Sequence, residues 1–365
     1  MMTRSLLPQS APNVDIESVS LREPIGKIWS AVPILAGSAF PVLACSGDWS
    51  VAVFGGHYAA AVPFRCLVAL VGFLLMSSAL PTYYISVITE SPAVGAMLQV
   101  VCSFDPAFKT SFSDSLGSIK KASMIHAVLL TAVYGLVGWI ACRTELGAVF
   151  LGVGGGAISL TTKAQKMFLD LLIQLCDKDI DTFIDKYLPE DDQERGVNWK
   201  DAAAAHYELD LRLEGLWAPT TGSMLVCPLV ARNCALGGIL LVFGVVRDET
   251  LLKVAVWVVG AALMLSGIQT LQGPANITTR CISTSPRLGR RAIKAVVNSM
   301  TCRSWTSEQE EVSHVKFMHY LGSTTVGVEL FGVLVTPSLV VHVLVAMGTN
   351  LPIAVGILEG VLKQR

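Results

Sequence analysis

The chain carries little charge for its size: Asp, Glu, Lys and Arg make up 15% of its 365 residues, where a soluble globular domain has about 25%. Hydrophobic residues make up 52%, so the charges are too few to cover the surface of a soluble particle of this size. This composition excludes an intrinsically disordered chain. The net charge of −1 excludes a nucleic-acid-binding protein, because phosphate backbones require clustered basic residues. What remains is a polytopic membrane protein.

Motifs of catalysis and cofactor binding are also missing. The sequence contains no H-E-x-x-H, no P-loop, no G-x-S-x-G and no dense carboxylate cluster within an apolar run. Its nine cysteines form no C-x-x-C pair and fall mostly in apolar runs. They indicate small core residues rather than a zinc site or a disulfide framework. We therefore expect no enzyme, no cofactor and no metal site.

Apolar runs long enough to cross about 30 Å of hydrocarbon recur along the chain. They predict transmembrane helices near 27–45, 61–87, 122–142, 147–166, 222–246, 251–272 and 325–357. The last run is longer than a bilayer requires and contains Gly332 and Pro337, so we expect it to be broken there. The predicted fold class is all-α, a polytopic seven-transmembrane helical membrane protein whose helices 4–6 extend into the cytosol.

Basic residues are distributed unequally between the two sides of this topology. With a cytosolic N-terminus, twenty Lys and Arg residues fall on the cytosolic side and four fall outside. This bias predicts a cytosolic N-terminus and an extracellular C-terminus, and it disfavours a G-protein-coupled receptor, which has the opposite polarity. A glycosylation sequon at Asn276 lies in the cytosol in this topology, so we expect it to stay unmodified.

The predicted domains follow the spans, and the polar N-terminal tail predicts no cleavable signal peptide. They are a cytosolic tail 1–26, spans one to six over 27–272, a cytosolic segment 273–324, a terminal span 325–358 and an extracellular tail 359–365.

The longest cytosolic segment, 167–218, has the apolar spacing of two helices. The first continues to Leu188, and the second begins near Asn198 with an apolar stripe that includes Leu209 and Leu213. We expect an outgoing and a returning helix, which extend below the membrane from spans four and five.

Ionisable side chains are rare within the predicted spans. Arg232 lies in the fifth run, and we expect it to reach the inner interface or to pair with a carboxylate such as Glu329; a role in gating is the alternative. His342 lies in the seventh run, where it is a hydrogen-bonded helix residue, a pore-lining group or an acyltransferase base. The scarcity of such groups argues against ion-coupled transport. The glycines of 152–156 indicate close helix packing.

Aromatic and sulfur-bearing residues occur towards the outer halves of the spans. We expect most of them to face lipid or the core, and a minority to line an apolar pocket that opens outward. The pocket candidates are Phe64, Tyr134, Trp139, Phe243, Trp257 and Met264.

The seven spans, the cytosolic N-terminus, the helical segment between spans four and five and the short outer loops resemble the insect gustatory and odorant receptor superfamily. The chain is most similar to the gustatory-receptor-like proteins of other eukaryotes, whose lead-in to the last span resembles 328–339. The family's terminal signature is Thr-Tyr, five hydrophobic residues and Gln-Phe. In the corresponding frame, Thr349 and the five apolar positions match, whereas Asn350, Gly356 and Ile357 depart from it.

The resemblance implies a chemoreceptor-like, homotetrameric, ligand-gated cation channel of the plasma membrane, in which the seventh spans line a central pore. Ile353 and Ile357 would form a hydrophobic constriction, and Gly356 replaces a polar pore residue. The resemblance places a small-molecule ligand between spans two to six. The pore and gate candidates are Ile353, Gly356, Ile357, Thr349, Asn350 and His342.

Three other interpretations stay open. They are a non-conducting receptor or scaffold, a small-molecule or lipid transporter, and a membrane enzyme with His342 as its base.

Overall fold

The chain is mostly helical wherever its structure is described. The computed structural model describes residues 79–89, 91–142, 145–188, 199–246, 250–301, 326–330 and 332–363, and shorter stretches between 34 and 77 and between 315 and 321. This confirms the helical character predicted from the sequence. The fold is not entirely α, however, because two short strands pair near residue 330.

Long helices alternate with short connections along the described chain. In chain order the elements are α1 Ala79–Thr89, α2 Pro92–Phe104, α3 Pro106–Cys142, α4 Glu145–Tyr187, α5 Trp199–Leu216, a π-helical segment Trp217–Val226, α6 Cys227–Val246, α7 Thr250–Gln269, α8 Gln272–Thr301, β1 Glu329–Leu330, β2 Val333–Leu334 and α9 Pro337–Lys363.

Two stretches of the described residues are long and apolar enough to cross a membrane, Pro106–Leu136 and Met224–Leu241. The first overlaps the predicted third span, although its helix begins well before residue 122. The second lies within the predicted fifth span. Two other apolar helices, Pro92–Phe104 and Pro337–Asn350, are shorter. The complete seven-span topology and its orientation stay predictions.

The C-terminal half of α4 forms the core of a helical bundle with α2, α5 and α8. At 1.5 Å per residue, the 43 residues of α4 extend about 64 Å, so one continuous helix includes both the predicted fourth span and the outgoing cytosolic helix. Helix α5 returns beside it and buries Leu209 and Leu213. The two predicted helices of 167–218 are therefore confirmed. The α4 side chains in this core include Phe168, Leu172, Leu175 and Ile180.

Two long helical hairpins lie beside this bundle: α3 packs along α4, and α6 packs along α7. A Cβ added at Gly152 would lie 3.0 Å from the carbonyl oxygen of Thr131, and one at Gly260 would lie 2.8 Å from that of Gly237. Only glycine allows the backbones to approach this closely. The close packing predicted for the glycines of 152–156 is thus confirmed.

The last apolar run is broken where the sequence predicts. Gly332 has a φ of 76°, in the left-handed region that glycine adopts without strain, and it lies in the turn between β1 and β2. Pro337 is the first residue of α9, a position where its missing N–H costs nothing. The hydroxyl of Thr336 caps this helix by accepting a hydrogen bond from the N–H of Leu339 at 3.2 Å.

The β1–β2 hairpin attaches the start of α9 to the rest of the molecule. The N–H of Val328 donates to Oγ1 of Thr278 in α8 at 2.9 Å, and both residues are fully buried. Leu330 fills the space beside Gly222 of the π-helical segment, because a Cβ on that glycine would overlap the Cδ2 atom of Leu330. The position of α9 therefore depends on contacts with α8 and with the π-helical segment.

Candidate functional site

The terminal helix α9 packs against the rest of the molecule along one narrow stripe. Val340 is buried, and Val343 and Met347 pack against the same core. These positions recur at spacings of three and four residues, so they lie on one face of the helix. Through this face α9 contacts α6, α7 and α8.

A different face of α9 is exposed and carries polar or small residues and one valine. Its exposed positions are Ser338, His342, Val345, Thr349 and Gly356. They follow one another at spacings of four, three, four and seven residues, which is the pattern of a coiled-coil seam. At 100° per residue, this face points about 165° away from the packed stripe, so it lies almost opposite to it.

Several polar side chains of α9 hydrogen-bond to their own helix. Nδ1 of His342 donates to the carbonyl oxygen of Ser338 at 2.6 Å, because a carbonyl oxygen can only accept. The Thr349 hydroxyl donates to Val345 at 3.0 Å, and the Asn350 amide donates to Ala346 at 2.6 Å.

The pore candidates therefore all belong to α9, but they lie at different angles around the helix axis. His342, Thr349 and Gly356 share the exposed face, because they are seven residues apart. Ile353 is 61% exposed and lies beside that face. Asn350 is exposed but is rotated about 80° from His342. Ile357 belongs to α9, and its side chain lies outside the described residues.

Five of the six pocket candidates belong to two separate hairpins. Tyr134 and Trp139 lie on α3, where both are exposed, whereas Trp257 and Met264 lie on α7 and are half-buried. Contacts between the two hairpins are few, so these residues do not converge on one described pocket. Phe243 belongs to α6 with a side chain outside the described ones, and Phe64 lies outside the described residues.

Most of these pocket candidates pack within their own hairpin. The ring of Tyr134 lies against Gly155 of α4, where an added Cβ would overlap its Cδ2 atom. Trp257 donates from Nε1 to the carbonyl oxygen of Leu241 at 3.2 Å, and Met264 covers Gly237. These three side chains contribute to the pairing of helices.

Arg232 of α6 is buried, with 3% of its surface exposed. Neither predicted environment fits it, because it does not reach an exposed interface and makes no ion pair with Glu329, which is exposed on β1. Its Nε and Nη2 atoms have no hydrogen-bond partner among the described residues. Arg232 is thus a buried cation without a described counterion.

The bundle contains a layer of ion pairs between α4, α5 and α8. Asp179 is completely buried and accepts two hydrogen bonds from Arg212 of α5, at 2.9 and 3.0 Å. Burial raises the pKa of Asp179, and the bonds from Arg212 oppose that effect. On the opposite face of α4, Asp177 and Asp181 both pair with Arg280 of α8.

A histidine and a tyrosine connect α5 to the segment before the hairpin. His206 is buried, with its ring edge-on to Phe183 and to Tyr320. Burial lowers the pKa of His206 to about 4, so the ring is neutral at physiological pH. The Tyr320 hydroxyl lies 3.5 Å from Nδ1 of His206 and donates to Asp210 at 3.4 Å. Burial raises the pKa of Tyr320.

Two cysteines of the bundle lie in surroundings that make their thiols unreactive. Cys176 and Cys281 are buried; burial raises the pKa of Cys176, and it raises the pKa of Cys281 to about 12. Both therefore stay protonated thiols. In the described part of the chain, no group of three His, Cys, Asp or Glu side chains could hold a metal ion.

The sequence analysis missed the ion-pair layer and the environment of His206. Asp179 lies inside the apolar stripe of α4, between Leu175 and Phe183, which was the available signal, because a carboxylate inside such a stripe must find a partner. Their arginine partners lie on other helices, and only the packing of those helices identifies them.

No family model and no curated protein matches the chain. The similarity to gustatory-receptor-like proteins therefore remains an expectation from the sequence.

Proposed function

We propose that the chain is a subunit of a ligand-gated cation channel, in which α9 helices from four copies surround a pore. The observation that supports this most is the exposed face of α9 that carries Ser338, His342, Thr349 and Gly356. The resemblance of the terminal segment to the last span of gustatory-receptor-like proteins supports the same function.

Membrane integration is supported by the apolar side chains that α3 exposes. Met124, Ile125, Val128 and Leu129 are between 51% and 67% exposed, and further exposed apolar residues follow on the same helix. In water such a continuous apolar surface would cause association, whereas in a bilayer the hydrocarbon chains cover it without cost. Helix α7 exposes a similar set, which consists of Val254, Val258, Val259 and Leu265.

The polar face of α9 fits a protein or water environment better than it fits lipid. In hydrocarbon, Nε2 of His342 would have no hydrogen-bond partner, and each such group costs free energy. Against neighbouring copies, the small Ser338 and Gly356 allow helices to approach, and the heptad spacing keeps one face towards the axis. Water at that axis would solvate the imidazole.

Gating in this proposal uses the outer part of α9. Ile353 and Ile357 supply an apolar ring that excludes ions by dewetting when it is narrow. Gly356 contributes no polar group to this ring, so hydration of permeating cations depends on Thr349 and Asn350, deeper in the helix. A ligand opens the pore by binding the dilated state more tightly. We place the N-terminus in the cytosol and the protein in the plasma membrane.

Single-particle imaging of the purified protein tests the assembly. A fourfold particle with four α9 helices at its axis is expected. A monomer, or an assembly with α9 on its lipid-facing perimeter, would overturn the proposal and favour a scaffold or a transporter. Substrate uptake without ionic current would identify the transporter.

Cation flux through reconstituted protein tests the gate. We expect Ile353→Ser to raise basal flux about tenfold, because a hydroxyl wets the constriction. Val341→Ser is the matched control, because Val341 is an exposed valine of α9 that lies away from the polar face. Equal flux in the two variants would contradict the assignment of Ile353.

Glycosylation tests the orientation. Asn276 is exposed on α8, so a luminal α8 would present the sequon to the glycosylation machinery. We expect protein from a eukaryotic host to carry no glycan at Asn276, and a glycan there would reverse the proposed topology.

A further inference from the structure

The guanidinium of Arg232 lies on the side of α6 that faces away from α7. Gly267 of α7 approaches the opposite side, because a Cβ on it would lie 3.1 Å from both Asn233 Cβ and Cys234 Sγ. At 100° per residue, Arg232 instead shares a face with Leu225 and Leu229. That face packs into the common core, to which α4 and Val340 of α9 also contribute.

The chain supplies no described counterion at that place. Arg232 is 3% exposed, and its Nε and Nη2 atoms have no partner among the described residues. The exposed Glu329 makes no ion pair with it. Leu225 and Leu229, on the same face, are almost fully buried, so the surroundings are apolar.

An unpaired cation in such surroundings is expensive. Removing an arginine from water costs several kcal/mol, which only a counterion or several hydrogen bonds offset. The planar guanidinium presents a fork of N–H donors that matches a carboxylate or a phosphate. A bound anion would satisfy the two orphaned nitrogen atoms.

We propose that Arg232 binds the anionic oxyacid group of an amphiphile, whose apolar tail lies along the helices at the junction of α6 with α4 and α9. A carboxylate or phosphate satisfies the guanidinium, and a hydrocarbon tail suits Leu225, Leu229 and the exposed apolar surface of the neighbouring helices. A membrane phospholipid and a free fatty acid share this chemistry. The proposed site does not depend on whether the protein conducts ions.

Thermal unfolding of delipidated protein in an uncharged detergent tests the site. Sodium oleate is expected to raise the unfolding temperature saturably, by on the order of 5 °C at a hundredfold excess over its Kd. Oleyl alcohol has the same tail without the charge and is expected to raise it by less than about 1 °C. Arg232→Met is expected to abolish the response to oleate.

A matched variant separates this site from general effects of charge. Arg280→Met removes another arginine of the chain, but one whose carboxylate partners are Asp177 and Asp181, and it is expected to keep the full response to oleate. The unfolding temperature in nanodiscs of phosphatidylglycerol, compared with that in nanodiscs of phosphatidylcholine, tests whether a phospholipid supplies the anion. If phosphatidylglycerol raises the unfolding temperature of the wild type, phosphatidylcholine does not, and Arg232→Met loses this response, then the anion is an anionic phospholipid.

Three results would overturn the proposal. The first is an equal response to oleate and phosphatidylglycerol in wild type and Arg232→Met, and the second is no response of the wild type to either probe. The third is a delipidated Arg232→Met that fails to fold, because removing an uncompensated charge should leave the empty protein at least as stable. Arg232→Lys, which keeps the charge but loses the fork, is expected to bind oleate about tenfold more weakly.

Discussion

The helical bundle of α2, α4, α5 and α8 differs from the terminal helix α9 in how completely its side chains are buried. In the bundle, apolar side chains of α4 and α5 are almost completely buried, and the charged residues between them pair with one another. Along α9 only one stripe is buried, while Val341, Val345 and Ile353 are more than half exposed. The bundle is thus complete within one chain, and α9 needs an environment that the chain does not supply.

This difference separates the part of the molecule that determines stability from the part that the proposed function uses. Stability resides where contacts are dense, so substitutions in the bundle should be costly. Substitutions on the exposed faces should change assembly, lipid contact or conduction while leaving unfolding nearly unaffected. Chemical or thermal unfolding in detergent measures this separation directly.

Breaking the buried ion pair should have the largest effect. Arg212→Met leaves the Asp179 carboxylate buried without its partner, so we expect a loss of about 3–5 kcal/mol in the free energy of unfolding. Lys178→Met is the matched control, because the Lys178–Asp105 pair is about half exposed on both sides and is worth less than about 1 kcal/mol. Similar losses in the two variants would show that burial does not distinguish these pairs.

Removing a core side chain should cost nearly as much. Leu172 of α4 is fully buried, and Leu172→Ala should lose about 2–5 kcal/mol because it leaves a cavity. Leu136 of α3 is 62% exposed, and Leu136→Ala should change the free energy of unfolding by less than about 1 kcal/mol. A larger loss for Leu136→Ala would mean that α3 is covered by protein contacts.

Acid should destabilise the bundle through His206. Burial lowers the pKa of this ring from 6.5 to about 4, so the unfolded chain binds a proton more readily than the folded one between these values. The contribution of the neutral ring to stability is complete above about pH 6.5 and is lost as the pH falls towards 4. Between pH 7 and pH 5 the loss should be about 2 kcal/mol.

The matched variant for this measurement is His206→Gln, which cannot titrate. Its unfolding temperature should fall less than that of the wild type between pH 7 and pH 5. Parallel decreases in the two proteins would assign the acid sensitivity to groups other than His206. Asp210 is not one of them, because burial raises its pKa and its protonation therefore favours the folded state.

Two glycines should respond in opposite directions and by the smallest amounts. Gly332 and Gly348 both have open space where a Cβ would be placed, so sterics with neighbouring residues do not distinguish them. Gly332→Ala should lose about 1–2 kcal/mol, because its φ of 76° strains any residue with a Cβ. Gly348→Ala, within α9, should gain up to about 1 kcal/mol from helix propensity.

If both glycine variants shifted the unfolding temperature in the same direction, the conformation of the β1–β2 turn would be in doubt. Agreement with the prediction would show that the break before α9 is held by backbone conformation.

Periodicity and local chemistry were sufficient to predict several helices and some of their ends, although not the start of α3 at Pro106. The apolar spacing from Phe168 to Leu188 predicted the C-terminal half of α4, and the spacing of Leu209 and Leu213 predicted α5. Gly332 and Pro337 predicted the interruption of the last apolar run. Such signals are local, because they depend on residues within one or two turns of each other.

Partners that lie far apart in the sequence could not be predicted. Arg212 pairs with Asp179 and Arg280 with Asp177 because α5 and α8 pack against α4, and no spacing in the sequence encodes those matches. For the same reason the sequence offered Glu329 as a partner for Arg232, whereas the structure leaves Arg232 without one in its described part. The pocket candidates, selected by residue type and position in their spans, lie on different hairpins.

The sequence by itself therefore determined a mostly helical chain, the pair of helices in 167–218 and the break before the terminal helix, because these follow from composition and short-range spacing. The tertiary structure decided which face of α9 is buried, which carboxylates are neutralised and which arginine is not. Burial is a property of the packed chain, because a side chain is removed from water by residues that can be a hundred positions away. Local sequence patterns do not identify those residues.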